Sequence, residues 1–220
     1  MLITFNYASY VHYGCMPSKG EKMVMKVVIV PVIPWHKDAH DEIKRALERI
    51  RPEYVLTDLG PDDEPDNVYQ MPLVALGRFS ERSYAKTLEE LSHSLNFKVV
   101  NLSPEYEEIL KEVSKRANVI EIIRYNMLLR RIQRPSWQDV ISFLRWLYKS
   151  FYKIDIMRGE AYAFSKKVKV EIEKLGRCVI AIVCDFLMLQ ALVDVLGDEI
   201  KVYDEFSSED FTSMMSLISR

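Results

Sequence analysis

Several polar side chains stand where an apolar run ends, and their types suit acid–base or metal chemistry. Val27 to Val32 is a β-branched run that stops at Pro34-Trp35-His36, and Tyr54 to Leu56 runs into Thr57-Asp58. Asn101, Ser103, Asp185, Asp204 and Glu205 follow later apolar runs in the same way. If the runs are parallel strands, these groups converge along one edge of a sheet, where open α/β folds bind their ligands. A histidine with carboxylates there can hold a divalent metal or move protons. His36 and Asp58 form the leading pair, because Pro34-Trp35 stands before one and Gly60-Pro61 after the other. His36 and His40 are also four apart, a chelating spacing on a helix. Here the pair straddles a helix start, and Asp38 reads as an N-cap with exposed histidines near it. The acidic loop at 62–66 lacks EF-hand spacing, and its prolines favour an extended solvated segment.

The elements that must position these groups alternate in kind. Strands are expected near 26–33, 53–58, 97–102, 177–184 and 200–203. Ile43, Ala46, Leu47 and Ile50 recur at helical spacing after Asp38, and a second helix is expected from Glu81 to Leu95. Ser103 at an N-cap, Pro104 at the first helical position and acids in the first turn start a third. Helical pattern then dominates 105–170. Short apolar runs alternating with helical stretches form right-handed β-α-β crossovers. The expected fold is therefore α/β: a mostly parallel central sheet of about five strands, helices on both faces, and a helical insertion between the third and fourth strands. Residues 1–22 read as an N-terminal appendage, 23–206 as a single domain, and 207–220 as a tail or short frayed helix.

The bulk composition narrows the classes. A chain of 220 residues with 49% hydrophobic and 28% charged residues suits one soluble globular domain. No apolar stretch approaches the roughly 20 residues of a spanning helix, and residues 1–22 lack the order of a secretory signal. Cys15, Cys178 and Cys184 have no C-x-x-C spacing, so a zinc cage or disulfide framework is not expected and a reducing cytoplasm fits. With seven glycines there is no G-x-G-x-x-G and no P-loop, which moves dinucleotide and nucleoside triphosphate enzymes down the order. Few Asn and Gln beside many Arg, Lys and Glu give the composition a thermophile-like cast.

The insertion differs from the rest in charge. Residues 115–158 carry ten Lys/Arg against three acids, a net +7, which leaves −9 for the remainder of a chain whose total is −2. Within Ser136 to Ile154, Val140, Ile141, Leu144, Leu147, Tyr148 and Phe151 form a core stripe, with Ser136 able to cap and Asp139 three residues later. Phe143, Trp146 and Tyr152 fall largely outside the stripe, among Arg145, Lys149 and Lys153. With Arg130, Arg131 and Arg134 they suit a partner surface: another protein, a second copy of the chain, a membrane surface or single-stranded nucleic acid.

Three short segments carry a family resemblance. Pro34-Trp35-His36 follows the first strand, Arg51-Pro52-Glu53-Tyr54-Val55-Leu56-Thr57-Asp58-Leu59 spans the second, and Arg158-Gly159-Glu160-Ala161-Tyr162-Ala163 opens a late helix before the apolar Val179 to Val183. Over residues 26–205 this order resembles the TraB/PrgY pheromone-shutdown family, in the wider group of Tiki proteases and erythromycin esterases. The resemblance implies a metal-dependent hydrolase of unknown substrate, with His36, Asp58 and Arg158 catalytic and a divalent metal on His36, Asp58 and Asp185. Arg158 would orient an anionic group. Two positions depart from the family. Ile33 replaces the glycine of the first G-x-x-H, and Cys184-Asp185-Phe186-Leu187 replaces a second G-x-G-H. The alternative is a catalytically inactive interaction protein that works through its basic, aromatic insertion.

Overall fold

The computed structural model describes residues 26–60, 63–65, 67–115, 118–132, 137–154, 157–197 and 200–218. Residues 1–22, Arg134 and Ser136 lie outside them.

Among the described residues, five strands form one all-parallel sheet: β1 (Lys26–Val32), β2 (Tyr54–Thr57), β3 (Lys98–Asn101), β4 (Val179–Asp185) and β5 (Lys201–Val202). Their order across the sheet is β3-β2-β4-β1-β5. The last strand to enter the middle, β4, therefore separates β1 from β2. Ile29 and Val30 of β1 and Ile180 to Val183 of β4 are wholly buried, as continuous apolar strands covered on both faces must be.

The helices are α1 (Ala39–Ile50), α2 (Asn67–Ala75), α3 (Tyr84–Leu95), α4 (Tyr106–Ser114), α5 (Val119–Ile132), α6 (Val140–Lys153), α7 (Arg158–Leu175), α8 (Leu189–Leu196) and α9 (Glu209–Ile218). The chain moves in one direction across the sheet through β1, β2 and β3, then reverses through β4 and β5. Right-handed crossovers therefore put α1 and α3 on one face and α7 and α8 on the other. Each pair packs together accordingly.

Four details differ from the sequence expectation. Helix α2 follows the acidic loop directly, with Pro72 inside it. Helix α4 is capped by Glu105, not Ser103, through a reciprocal box with Glu108; the Ser103 hydroxyl instead donates to the Asp58 carbonyl at 2.6 Å. Asp139 caps α6, its carboxylate accepting from the Ser142 N–H at 2.6 Å. Finally, α9 is a packed helix and not a frayed one. Phe211, Met214, Met215 and Ile218 are buried, and the fully buried Glu42 of α1 accepts from the Ser207 and Ser208 N–H groups just ahead of it.

Candidate functional site

Two polar clusters occupy the carboxyl edge of the sheet. In the first, Asp58 follows β2 and Asp185 ends β4, and register sets Thr57 opposite Val183, which brings the Asp185 backbone beside the Asp58 carboxyl. The Asp185 N–H donates to Asp58 Oδ2 at 3.1 Å, and the Tyr84 hydroxyl of α3 bonds to Asp58 Oδ1. Tyr69 of α2 donates its hydroxyl to Asp185, 2.8 and 2.7 Å from the two oxygens, and the Leu187 N–H adds 2.9 Å to Oδ1. Asp58 is buried, while Asp185 keeps some contact with solvent. Burial raises the Asp58 pKa to about 7, against the opposing bonds from Tyr84 and the Asp185 N–H; Glu160 of α7 raises it further. Asp185 is pushed well above the usual carboxylate range, again chiefly by desolvation. Because the connections leaving β2 and β4 go to opposite faces, this pair sits at a topological switch point.

His36 belongs to the second cluster. Its N–H bonds back to the Ile33 carbonyl at 3.3 Å, closing a turn with Pro34 at the second position and Trp35 in the left-handed region (φ 60°) at the third. Those are the features of a type II turn. The turn is clamped by Ser80 N–H to the Trp35 carbonyl at 2.8 Å and Lys37 N–H to the Arg78 carbonyl at 2.9 Å. His36 Nδ1 accepts the Asp38 N–H at 3.2 Å, which fixes the tautomer, so Nε2 donates to Asp210 Oδ2 of α9 at 3.0 Å. Arg78 Nε donates to the same oxygen at 3.1 Å. Burial lowers the His36 pKa, although Asp38 and Asp210 oppose it.

These placements bear on the expected ligand set. Asp58 and Asp185 meet. His36 meets neither, and the three do not bring ligand atoms within 4.8 Å of one another. His36, Asp38 and Asp210 do satisfy that distance and could hold a cation. One atom of each is already engaged by a donor, however. Nδ1 has the Asp38 N–H, Asp210 Oδ2 has both Nε2 and Arg78, and Asp38 Oδ2 accepts from Ser208 Oγ at 2.8 Å. The TraB-type metal set His36, Asp58 and Asp185 does not fit this geometry. Arg158 begins α7, two residues ahead of Glu160. Of the remaining strand-end groups, Ser103 is spent on the Asp58 carbonyl, and Asp204 and Glu205 are exposed, with Glu205 paired to Arg49.

The helical segment between β3 and β4 carries the other candidate surface. Val119, Ile123 and Met127 form a row four apart along α5, with Ile120 beside it. They are 72%, 54%, 66% and 62% exposed. The side of α5 that faces the protein holds Glu121, which accepts from Arg124 Nη1 at 2.7 Å, and Leu128, which packs on Ile154. The helix is thus turned with a carboxylate inward and aliphatics outward. Between α5 and α6 runs a groove of about 630 Å³. Met127, Leu128, Trp146 and Ile154 make its apolar floor, and Arg124, Arg131 and Lys153 its cationic rim. The Arg131 guanidinium lies over Trp137 and Trp146, 5.8 and 5.6 Å from the ring centres.

The structure separates the expected partner residues. Arg130, Arg131, Arg145 and Lys149 are exposed and Trp146 lines the groove. Phe143 is a correction. It is fully buried, edge-on to Tyr69 of α2 with centroids 6.3 Å apart and tilted on Trp137 at 5.7 Å, because α6 packs on these rings as well as on α9 and so buries a wider arc than one stripe. The sequence reading passed over the α5 aliphatics, although a run of Val119, Ile120, Ile122 and Ile123 around one glutamate was visible. Comparison of the chain with protein-family models, curated proteins and solved structures finds no match.

Proposed function

We propose that this chain is an interaction protein whose working surface is the α5–α6 face, binding a partner protein. One observation carries the reading: four aliphatic side chains of α5 point to solvent while a charged residue of the same helix is buried. Scattered exposed apolar residues need no explanation, but a contiguous row rimmed by polar groups marks a surface meant to be covered. The test is site-specific photocrosslinking in cells that make the protein, with the crosslinker at Ile123 and, as control, at the exposed Lys44 of α1. The reading expects discrete adducts from position 123 only. Matching adduct patterns from both positions, or none from either, would refute it.

A second reading is favoured by the Asp58–Asp185 pair. Two carboxyls with raised pKa at a switch point are suited to trading one proton near neutral pH, as acid–base hydrolysis requires. Here the pair, with Arg158 at the start of α7, would act on a small substrate in a TraB-like hydrolase, without His36. A panel of ester, phosphoester and peptide substrates tests it. Turnover lost in both Asp58→Asn and Asp185→Asn supports it; background rates equal in wild type and variants remove it, and the family resemblance loses its functional content with it.

A further inference from the structure

Resting on the docking reading, the geometry points to one kind of partner: an acidic amphipathic helix laid along the α5–α6 groove, its apolar face on Met127, Leu128, Trp146 and Ile154 and its carboxylates against Arg124, Arg131 and Lys153.

The shape argues for a helix. The groove lies between two helices and continues through Met127 onto the outward row of α5, so the apolar surface is longer than a small ligand needs. A helix placed there reads as anchors at i, i+3, i+4 and i+7, the usual helix-in-groove mode. The charge argues for an acidic one. Arg131 and Lys153 meet no carboxylate among the described residues, and Arg124 gives Glu121 only its Nη1, so the rest of its N–H fork can meet a partner's carboxylate. Arg131 is held in place by the two indole rings beneath it, so its N–H fork is oriented before any partner arrives. Arg124 and Arg131 are seven residues apart, two turns or about 10 Å along the axis. A partner helix running beside α5 therefore matches them with acids seven apart.

The same features disfavour other occupants. A two-fold pairing of this face with itself would set one cationic rim against another with no carboxylate on the lining to offset it. Stacking of nucleic-acid bases needs free aromatic faces. Trp137 and Trp146 are 4.7 Å apart between centroids, and Arg131 covers them. A lipid surface is flat, whereas the cations here rim a concavity.

The probe is a fluorescein-labelled amphipathic peptide of about 20 residues, with Leu on one face and Glu at sevenfold spacing along its flank. A second copy carries Lys in place of each Glu. Anisotropy titrations against the full chain should show saturable binding of the Glu peptide and at least about tenfold weaker binding of the Lys peptide. Arg131→Glu/Lys153→Glu should reverse that order, and Ile123→Asp should weaken both peptides. No binding of the Glu peptide, or equal binding of the two, overturns the inference. Vesicles of phosphatidylcholine with phosphatidylglycerol, single-stranded DNA and sedimentation of the chain alone are run beside it. If one of these engages the face and Ile123→Asp abolishes that, the acidic-helix assignment falls while the docking surface stands. If none does, the peptides do not bind and position 123 gives no adducts, both fall.

Discussion

Asp58 Oδ2 accepts the backbone N–H of Asp185 at 3.1 Å, across the boundary between two strands that are far apart in sequence and adjacent in the sheet. The bond ties the carboxyl that ends β2 to the strand that divides it from β1. Because Asp58 is buried, its pKa of about 7 links protonation to folding. Between pH 4 and 7 the unfolded chain releases this proton while the folded one keeps it. Stability therefore falls as pH rises through that window, by about 4 kcal/mol from this group. Asp185, shifted in the same direction, adds to the slope. Denaturant melts between pH 5 and 8 should show the decline, and Asp58→Asn should flatten it and be more stable than wild type at pH 8. An Asn can give its carbonyl to the Asp185 N–H and its amide to the Tyr84 oxygen.

Tyr84→Phe should act on the same proton from the other side. The Tyr84 bond is the largest influence lowering the Asp58 pKa, so its loss should move the Asp58 carboxyl titration, followed by carbon-13 NMR, to higher pH. Removing a buried bond should also cost about 1–3 kcal/mol in unfolding at pH 5. An unchanged titration would show that Tyr84 does not bond the carboxyl.

His36 predicts the opposite pH dependence at α9. Its folded pKa lies below the ordinary 6.5, so the unfolded state takes up a proton first as pH falls. Stability from this group is present above about 6.5 and lost as pH drops through its folded pKa. A proton on Nδ1 would face the Asp38 N–H, donor against donor, and loosen the ring that holds Asp210. Relative to the intrinsic, base-catalysed exchange rate at each pH, amide protection in Phe211–Ile218 should fall between pH 7.5 and 5.5 more than in the strands, and His36→Gln should remove the difference. Equal protection at both pH values would contradict this.

Gly159 is a packing requirement. A Cβ there would lie 2.6 Å from Val113 Cγ2 and 3.2 Å from the Val113 backbone nitrogen, where α7 crosses α4. Gly159→Ala should cost about 1–3 kcal/mol. Adding Val113→Ala should recover part of it, since the nearest obstruction is that side chain and the backbone contact remains. Full loss in the double variant would place the obstacle in the backbone alone.

The sheet was legible from the sequence because its two central strands, β1 and β4, are long apolar runs rich in Val and Ile and the short strands are centred on Val or Leu between turn signals, and the strand ends fell within two residues of those expected. Helix α2 was not, since Pro72 and the preceding acidic loop mask its pattern. The site was legible only in part. Strand ends locate Asp58 and Asp185 individually, but their contact depends on β4 inserting between β1 and β2, a long-range fact that local pattern does not encode. His36 was drawn away by a partner 174 residues distant and by the left-handed Trp35, whose indole offers no sign of a positive φ. The α5 face was overlooked for a related reason: an aliphatic-rich helix reads as core until its rotation is known.

The docking surface stands or falls with the orientation of α5. Ile120→Ser/Ile123→Ser/Met127→Ser should leave the unfolding free energy of the isolated chain within about 0.5 kcal/mol of wild type, because solvated side chains contribute little to folding. Leu128→Ala on the inward side, the control, should cost about 2–5 kcal/mol. A loss of several kcal/mol in the triple variant, comparable to the control, would mean that the row is buried within the folded chain and would contradict the docking surface.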